Sequence, residues 1–212
     1  MNVLAVGAHF DDLELGCGGT LARHVLAGDR VIMLVVTDSA FCDPDGRPVR
    51  DAATALAEGR AAAAVIGAEL VCLGLPALAV REDDALCAAI LRQVEALGID
   101  TLYAHWEHDL HRDHRRTARA TLMAGRHVPR FLAYRSNWYD AGQPFHGTVY
   151  RDISDVFETK RRAILAHESE MGRTGARWIE YFANQNANDG RRVGVAYAEC
   201  FEPVRCLLPW GA

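Results

Sequence analysis

His9, Asp11 and Asp12 follow directly on Val3-Leu4-Ala5-Val6-Gly7-Ala8, an apolar run of the length expected for a fully buried strand. A strand end needs no such polar cluster in order to fold. An imidazole and two carboxylates at the carboxyl end of a buried parallel strand stand where open α/β sheets place their chemistry. A second concentration, His105-Trp106-Glu107-His108-Asp109-Leu110-His111-Arg112-Asp113-His114, holds four histidines and three carboxylates in ten residues. It follows the apolar Thr101-Leu102-Tyr103-Ala104, so its start is expected at the same sheet edge as His9. Neutral imidazole and carboxylate are ordinary ligands for zinc or ferrous iron. His9, Asp12 and one histidine of the second stretch would leave a position open for water, as a catalytic site requires and a closed structural site does not. A metal-dependent hydrolase is the starting expectation, against the plainer alternative of a capped helix start beside a surface histidine.

Those clusters need a scaffold, and the pattern between them supplies one. Gly16-Cys17-Gly18-Gly19-Thr20 opens a helix through Leu21, Val25 and Leu26, and Arg30 to Thr37 is apolar on both faces, as a second strand. Residues 38–50, with Asp43-Pro44-Asp45-Gly46 and Pro48, read as a loop. Asp51 is the expected N-cap and Gly67 the expected stop of an alanine-rich helix. Leu70 to Leu75 is a third strand, and Asp84 to Leu97 a helix with Leu86, Ile90, Val94 and Leu97 on one face and Gly98 ending it. A fourth strand at 101–104 precedes a helix through Thr117, Thr121 and Leu122; Phe131 to Tyr134, Thr148 to Tyr150 and Tyr197 to Arg205 read as further strands. Ser154 is expected to cap a helix with Asp155 and Glu158 in its first turn. Residues 171–195, rich in glycine and asparagine, are the least regular and are expected to fold over the site, with Trp178, Tyr181 and Phe182 in the core. Strand and helix in alternation predict the α/β class: a Rossmann-like, mostly parallel open sheet with helices on both faces, in a single domain over residues 1–212.

Composition narrows the partners. The chain has 212 residues, 50% of them hydrophobic, enough for a full core. A net charge of −5 without a basic block argues against nucleic acid and leaves a small molecule as the ligand. No apolar stretch approaches the ~20 residues of a membrane span, and the N-terminus lacks signal-peptide character, so the cytoplasm is the expected compartment. The six cysteines are scattered without a CxxC pair, which signals neither a cysteine zinc site nor a redox dithiol; Cys17 is assigned to packing. The first strand-to-helix turn reads Gly7-Ala8-His9-Phe10-Asp11-Asp12 rather than GxGxxG, and two carboxylates would repel a pyrophosphate there. Gly16, Gly18 and Gly19 come too late for that role and are expected to let the helix approach the sheet. Self-association is only the prior for an α/β enzyme of this size.

Two stretches carry a resemblance: Ala8-His9-Phe10-Asp11-Asp12-Leu13-Glu14-Leu15-Gly16-Cys17-Gly18-Gly19-Thr20 and His111-Arg112-Asp113-His114-Arg115. They resemble the AHPDDxE…GCGGT and HPDHR signatures of the PIG-L/LmbE-like metal-dependent deacetylases. Thr37-Asp38, Leu73-Gly74-Leu75-Pro76 and Tyr197-Ala198-Glu199-Cys200-Phe201 are similar to further landmarks, so the resemblance covers nearly the whole chain as one such domain. It implies a divalent metal, zinc first and ferrous iron second, held by His9, Asp12 and His114. It implies Asp11 as general base, His111 as the histidine that stabilises the oxyanion or protonates the leaving amine, and Asp113 as the carboxylate orienting His111 and keeping it protonated. The implied reaction is removal of an N-acetyl group from an amino sugar or amino-sugar conjugate.

Beside that resemblance, Arg135, Asn137 and Trp138 form a set suited to a sugar or sugar phosphate. His105, His108 and Asp109 are expected to line the loop without binding the ion. Glu14 either supports the ligands or only favours the helix start, and His167 is read as structural or as an interface residue. Phe10 and Arg112 replace the two motif prolines. Ala55 and Ala77 stand where relatives that hold a sugar carry arginine and aspartate. Two rival functions remain at this stage: an amidase for a larger sugar–thiol or peptide-like conjugate, and a non-catalytic sugar-binding protein.

Overall fold

A strand covered on both faces needs apolar residues at every position rather than at alternate ones, and Val3, Leu4, Ala5 and Val6 are all fully buried. The structure, a computed structural model, describes residues 1–175 and 177–208. The chain runs β1 (Asn2–Gly7), α1 (Asp12–Leu26), β2 (Arg30–Thr37), β3 (Phe41–Cys42), β4 (Pro48–Arg50), α2 (Ala52–Ile66), β5 (Glu69–Leu75) and α3 (Asp84–Leu97). It continues through β6 (Thr101–His105), α4 (Arg112–Ala124), β7 (Arg130–Tyr134), β8 (Val149–Asp152), α5 (Phe157–Leu165), α6 (Glu168–Thr174), α7 (Arg177–Val193) and β9 (Ala198–Cys206).

Seven strands form one sheet in the order β5-β2-β1-β6-β7-β9-β8. The first five are parallel, and β9 runs antiparallel to both β7 and β8. The chain steps outward from β1 to β2 to β5, then returns to lay β6 on the other side of β1. That reversal opens a crevice beyond the carboxyl ends of β1 and β6. His9 follows β1 and His105 ends β6, so the topology delivers both polar clusters to one place. Alternation along the strands splits the core in two. Val3, Ala5, Val31, Met33 and Val35 meet Leu13, Cys17 and Leu21 of α1 on one face. Leu4, Val6, Ile32, Leu34 and Val36 meet Leu86 and Ile90 of α3, with Ala120 and Ala124 of α4, on the other.

The helix boundaries follow their capping chemistry. The Asp51 carboxylate accepts from the Thr54 N–H, and Gly67 ends α2 in the left-handed region at φ 86. Asp83 caps α3 in the same way and Gly98 stops it at φ 55. Close approach explains two glycines of α1: a Cβ on Gly16 would lie 2.2 Å from the Tyr134 ring, and one on Gly19 would lie 2.8 Å from Ile153. The middle of α1 is also held from outside. The Gly19 and Thr20 N–H groups donate to the Glu199 carboxylate at 2.9 and 2.7 Å. Lys160 Nζ pairs with the same carboxylate at 2.6 Å and donates to the Leu15 carbonyl, the oxygen Gly19 would ordinarily engage, at 2.9 Å. Side chains from β9 and α5 thus complete the hydrogen bonding of the helix that begins at Asp12.

Three expectations change. Residues 38–50 contain the antiparallel β3–β4 ladder, so the loop is a short hairpin that ends in the buried Arg50. Ser154 does not cap α5, whose N-cap position is Val156; the Ser154 hydroxyl bonds Asp152 and meets the Tyr197 backbone instead. Most of 171–195 is helical, because Trp178 and Phe182, one turn apart, bury against Leu15 and Ile164 and outweigh the poor intrinsic propensity of asparagine and glycine. All six cysteines are free, Cys17 fully buried. No helix among the described residues is long and apolar enough to cross a membrane.

Candidate metal centre

The turn after β1 separates two adjacent carboxylates. Asp11 adopts φ 115 and ψ −31 at the N-cap position of α1, a backbone conformation that costs a non-glycine residue strain. Asp12, one residue on, is helical and buried. Phe10 anchors the turn: its N–H donates to Ser39 Oγ at 2.9 Å and its ring packs where a Cβ on Gly59 would come within 2.2 Å. Without proline in the motif, the loop is fixed by that ring seated against α2.

Three groups from the two clusters converge. His9 Nδ1 lies 3.3 Å from His114 Nε2 and 3.4 Å from Asp12 Oδ2, and His114 Nε2 lies 3.2 Å from Asp12 Oδ1. A tetrahedral site with bonds of about 2.0–2.2 Å has edges of about 3.3–3.5 Å. His9 and His114 approach different oxygens of Asp12, at separations of the size that ligands of one divalent ion would have. Ligand atoms of His9, His111 and His114 lie within 4.8 Å of one another, as do those of Asp12, His105 and His114. His105 Nε2 is already engaged, 3.0 Å from the Ala8 N–H and 3.1 Å from Asp12 Oδ2. It stacks on the His114 ring at 4.0 Å and supports the ligands from behind.

Each candidate histidine ligand is backed by a carboxylate that turns one ring nitrogen inward. Asp113 Oδ2 sits 3.1 Å from His9 Nε2 and accepts the Leu78 N–H at 2.7 Å. Asp109 Oδ2 sits 3.2 Å from His114 Nδ1, and Asn137 Nδ2 donates to both Asp109 oxygens at 2.8 Å. Ser136 Oγ donates to Asp12 Oδ1 at 2.9 Å. Here the structure departs from the expected geometry, because the Asp113 carboxylate faces His9 rather than His111. His111 Nδ1 instead accepts the Asp113 N–H at 3.2 Å as the cap of α4. Burial, together with the neighbouring His114 and His9, lowers the His111 pKa to about 4, so this ring is neutral and not kept protonated. With Nδ1 accepting, its hydrogen resides on Nε2. Asp109, expected only to line the loop, backs the candidate ligand His114.

The electrostatics divide the two aspartates. Despite burial, the imidazoles of His114 and His105 hold Asp12 well below the usual carboxylate range. Burial and the charge of Asp12 push Asp11 up to about 7. Burial opposes charge on His9 and His114 as well, but the carboxylates outweigh it: Asp113 and Asp12 raise His9 to about 9, and Asp12 and Asp109 raise His114 to about 10. Arg50 is a hub that the sequence pattern did not disclose. Its guanidinium donates to the Phe10 carbonyl at 3.3 Å and to Glu58 at 2.7 Å, and lies 3.7 Å from Asp11 Oδ2 and 3.9 Å from Glu170. His167, fully buried, faces Arg50 at 3.3 Å and Glu14 at 3.3 Å, so Glu14 contacts this layer and not the ligands.

Above these groups lies a cleft of about 350 Å³ reached by His9, Asp11, Asp12, His111 and His114. Trp138, Tyr139 and Trp178 form aromatic walls, and Glu170 and Arg173 are also at its edge. Asn137 lines the cleft while its amide is engaged by Asp109. Arg135 does not line it: Ser136 points to Asp12, and the preceding side chain opens into a second cavity, where it meets Gln185 at 3.2 Å.

Comparison with known proteins identifies relatives of the whole chain. A family profile described as PIG-L, GlcNAc-PI de-N-acetylase, matches residues 4–125. An uncharacterized deacetylase, YaiS of Escherichia coli, is 28% identical over 180 residues, covering 79% of this chain and 90% of that protein. A diacetylchitobiose deacetylase from Thermococcus kodakarensis is 27% identical, covering 93% of this chain and 80% of that protein. The solved structure of the conserved protein TT1542 from Thermus thermophilus superposes with a TM-score of 0.81 at 25% identity, covering 98% of this chain and 96% of that one. With more than half its length matched by the family profile and its polar clusters meeting at the switch point, this chain belongs to the PIG-L family of deacetylases, hydrolases of amide C–N bonds.

Proposed function

We propose that the protein removes the N-acetyl group from an amino sugar or amino-sugar conjugate, using a divalent ion, zinc first, at His9, Asp12 and His114. The observation that carries this reading is the approach of His9 and His114 to each other and to the two Asp12 oxygens at 3.2–3.4 Å, on the wall of a cleft that Asp11 also lines. Bound there, the ion supplies Lewis acidity, polarising an amide carbonyl and easing loss of a proton from water at neutral pH.

The chain's own groups do the rest. Asp11, its pKa raised to about 7 and its side chain on the cleft, takes a proton from the attacking water in its ionised form. The neutral His111 offers its Nε2–H to the carbonyl oxygen as negative charge develops, an interaction typically worth about 3–4 kcal/mol when such donors are preorganised. The proton held by Asp11 then passes to the departing amine, closing the balance. Arg50 keeps the Asp11 turn in place from below. Trp138, Tyr139 and Trp178 suit the apolar faces of one sugar ring, and a cleft of about 350 Å³ is at the small end of ligand sites, matching a short acyl group. The named substrates of the sugar deacetylase relative favour the same class.

The test is acetate release from a panel of N-acetyl sugars, sugar nucleotides and glycosides, with metal analysis of the same preparation. Acetate from at least one N-acetylglucosamine-type compound is expected, in proportion to metal content. Release of a larger acid and no acetate would identify an amidase for bulkier conjugates.

A further inference from the structure

A second cavity of about 430 Å³ adjoins the first along the Trp138–Tyr181 ring pair, whose centroids are 5.3 Å apart; Trp138 lines the cleft and Tyr181 the second cavity. One wall is a stripe of α7: Tyr181, Asn184, Gln185, Asn188, Asp189 and Arg192, spaced i, i+3, i+4, i+7, i+8 and i+11. The helix packs through Trp178 and Phe182, with Tyr181 against the same cluster, while Asn184, Asn188 and Arg192 of the stripe stay exposed. Exposed amides on a helix that packs through its aromatic residues, turned into a concave space, are available for a ligand.

The lining specifies what kind. Three amides side by side each offer a donor and an acceptor, the pairing that sugar hydroxyls match. From the opposite wall the Arg135 guanidinium donates to Gln185, lies 5.5 Å over the Phe145 ring, and keeps a buried Nε with no partner among the described residues. Asp189 is buried and 3.8 Å from Arg192, so one of the two cations of the wall is already paired with a carboxylate. Tyr181 and Phe145 add aromatic surface. Its volume of about 430 Å³ falls within the ~300–1,000 Å³ of small-molecule sites. We propose that this cavity is a second saccharide site, separate from the hydrolytic cleft and taking one or two neutral pyranose units between the amide stripe of α7 and Arg135. The assignment stands on the lining and does not depend on hydrolysis next door.

The experiment is a titration of isotope-labelled full-length protein, both unaltered and carrying His114→Ala, with N-acetylglucosamine and its β-1,4-linked disaccharide. The readout is the side-chain amide resonances of Asn184, Gln185 and Asn188. Saturable shifts of these resonances, equal in both proteins, are expected. Asn188→Ala and Gln185→Ala should each weaken them by about tenfold; Asn188 is exposed, so its replacement leaves the melting temperature unchanged. The proposal is overturned if shifts are confined to residues of the first cleft, if no saturable shift appears, or if inorganic phosphate moves these amides and the sugars do not.

Discussion

Replacing Asp113 by asparagine removes one charge and almost no volume at a fully buried position. Asp113 Oδ2 serves both His9 Nε2 and the Leu78 N–H, while Oδ1 has no partner among the described residues. Asparagine can put its oxygen at the shared position and its amide where the unpartnered oxygen was, keeping the shape of the site. What disappears is the negative charge that makes His9 a better donor of electrons and aims its Nδ1 at Asp12 and His114. Loss of such a partner typically weakens metal binding by about 10–100-fold, or about 1.4–2.7 kcal/mol. Competition against a fluorescent chelator gives the metal Kd, and steady-state kinetics at saturating metal gives kcat. The geometry predicts a weaker Kd with kcat restored once the ion is saturating. Unchanged metal affinity with a depressed kcat would refute it and return Asp113 to the service of His111.

Asp11→Asn should retain metal and lose about 10²–10⁴-fold in kcat, whereas His114→Ala should lose both; equal metal loss in the two would dissolve the division between base and ligand. In the ion-free protein His9 and His114 carry pKa values of about 9 and 10 against the usual 6.5. Their contribution to stability is therefore complete below pH 6.5 and drains away as pH rises through those values. Metal uptake near pH 8 should accordingly expel at least one proton, measured by calorimetry in buffers of different ionisation enthalpy, and zero release would contradict the assignment. Gly16→Ala places a methyl 2.2 Å from the ring of Tyr134, which cannot retreat because it is fully buried and its hydroxyl donates to the Val6 carbonyl at 2.9 Å. A loss of about 1–3 kcal/mol is expected in thermal or denaturant unfolding, and an unchanged midpoint would show that the helix can shift.

Continuous apolar runs such as Arg30–Thr37 were legible as strands because a buried parallel strand leaves a local signature, and Asp51, Gly67 and Gly98 were legible because caps do too. The ligand candidates could be read for the same reason: each sits within a few residues of a strand end or helix start. What stayed hidden depends on side chains meeting across the fold. Nothing local tells that Arg50 reaches Asp11, Glu58 and His167, that Ser136 rather than Arg135 turns toward the ion site, or that Asp113 selects His9 over His111. The α7 helix was masked by its asparagines and by Gly190, whose missing Cβ is what admits the Val195 carbonyl, since one built there would lie 2.7 Å from that oxygen. Tertiary packing of Trp178 and Phe182 decided that segment.

Glu199 gives the chain an order of completion. The span matched by the family profile, residues 4–125, includes every group that faces the candidate ion, yet Ser136, Lys160 and Glu199 all come after it. During synthesis the candidate ligands emerge early, and the carboxylate that receives the mid-helix amides of α1 arrives only with the last strand. A chain cut short before β9 would own every candidate ligand and lack the carboxylate that ties their helix to Lys160.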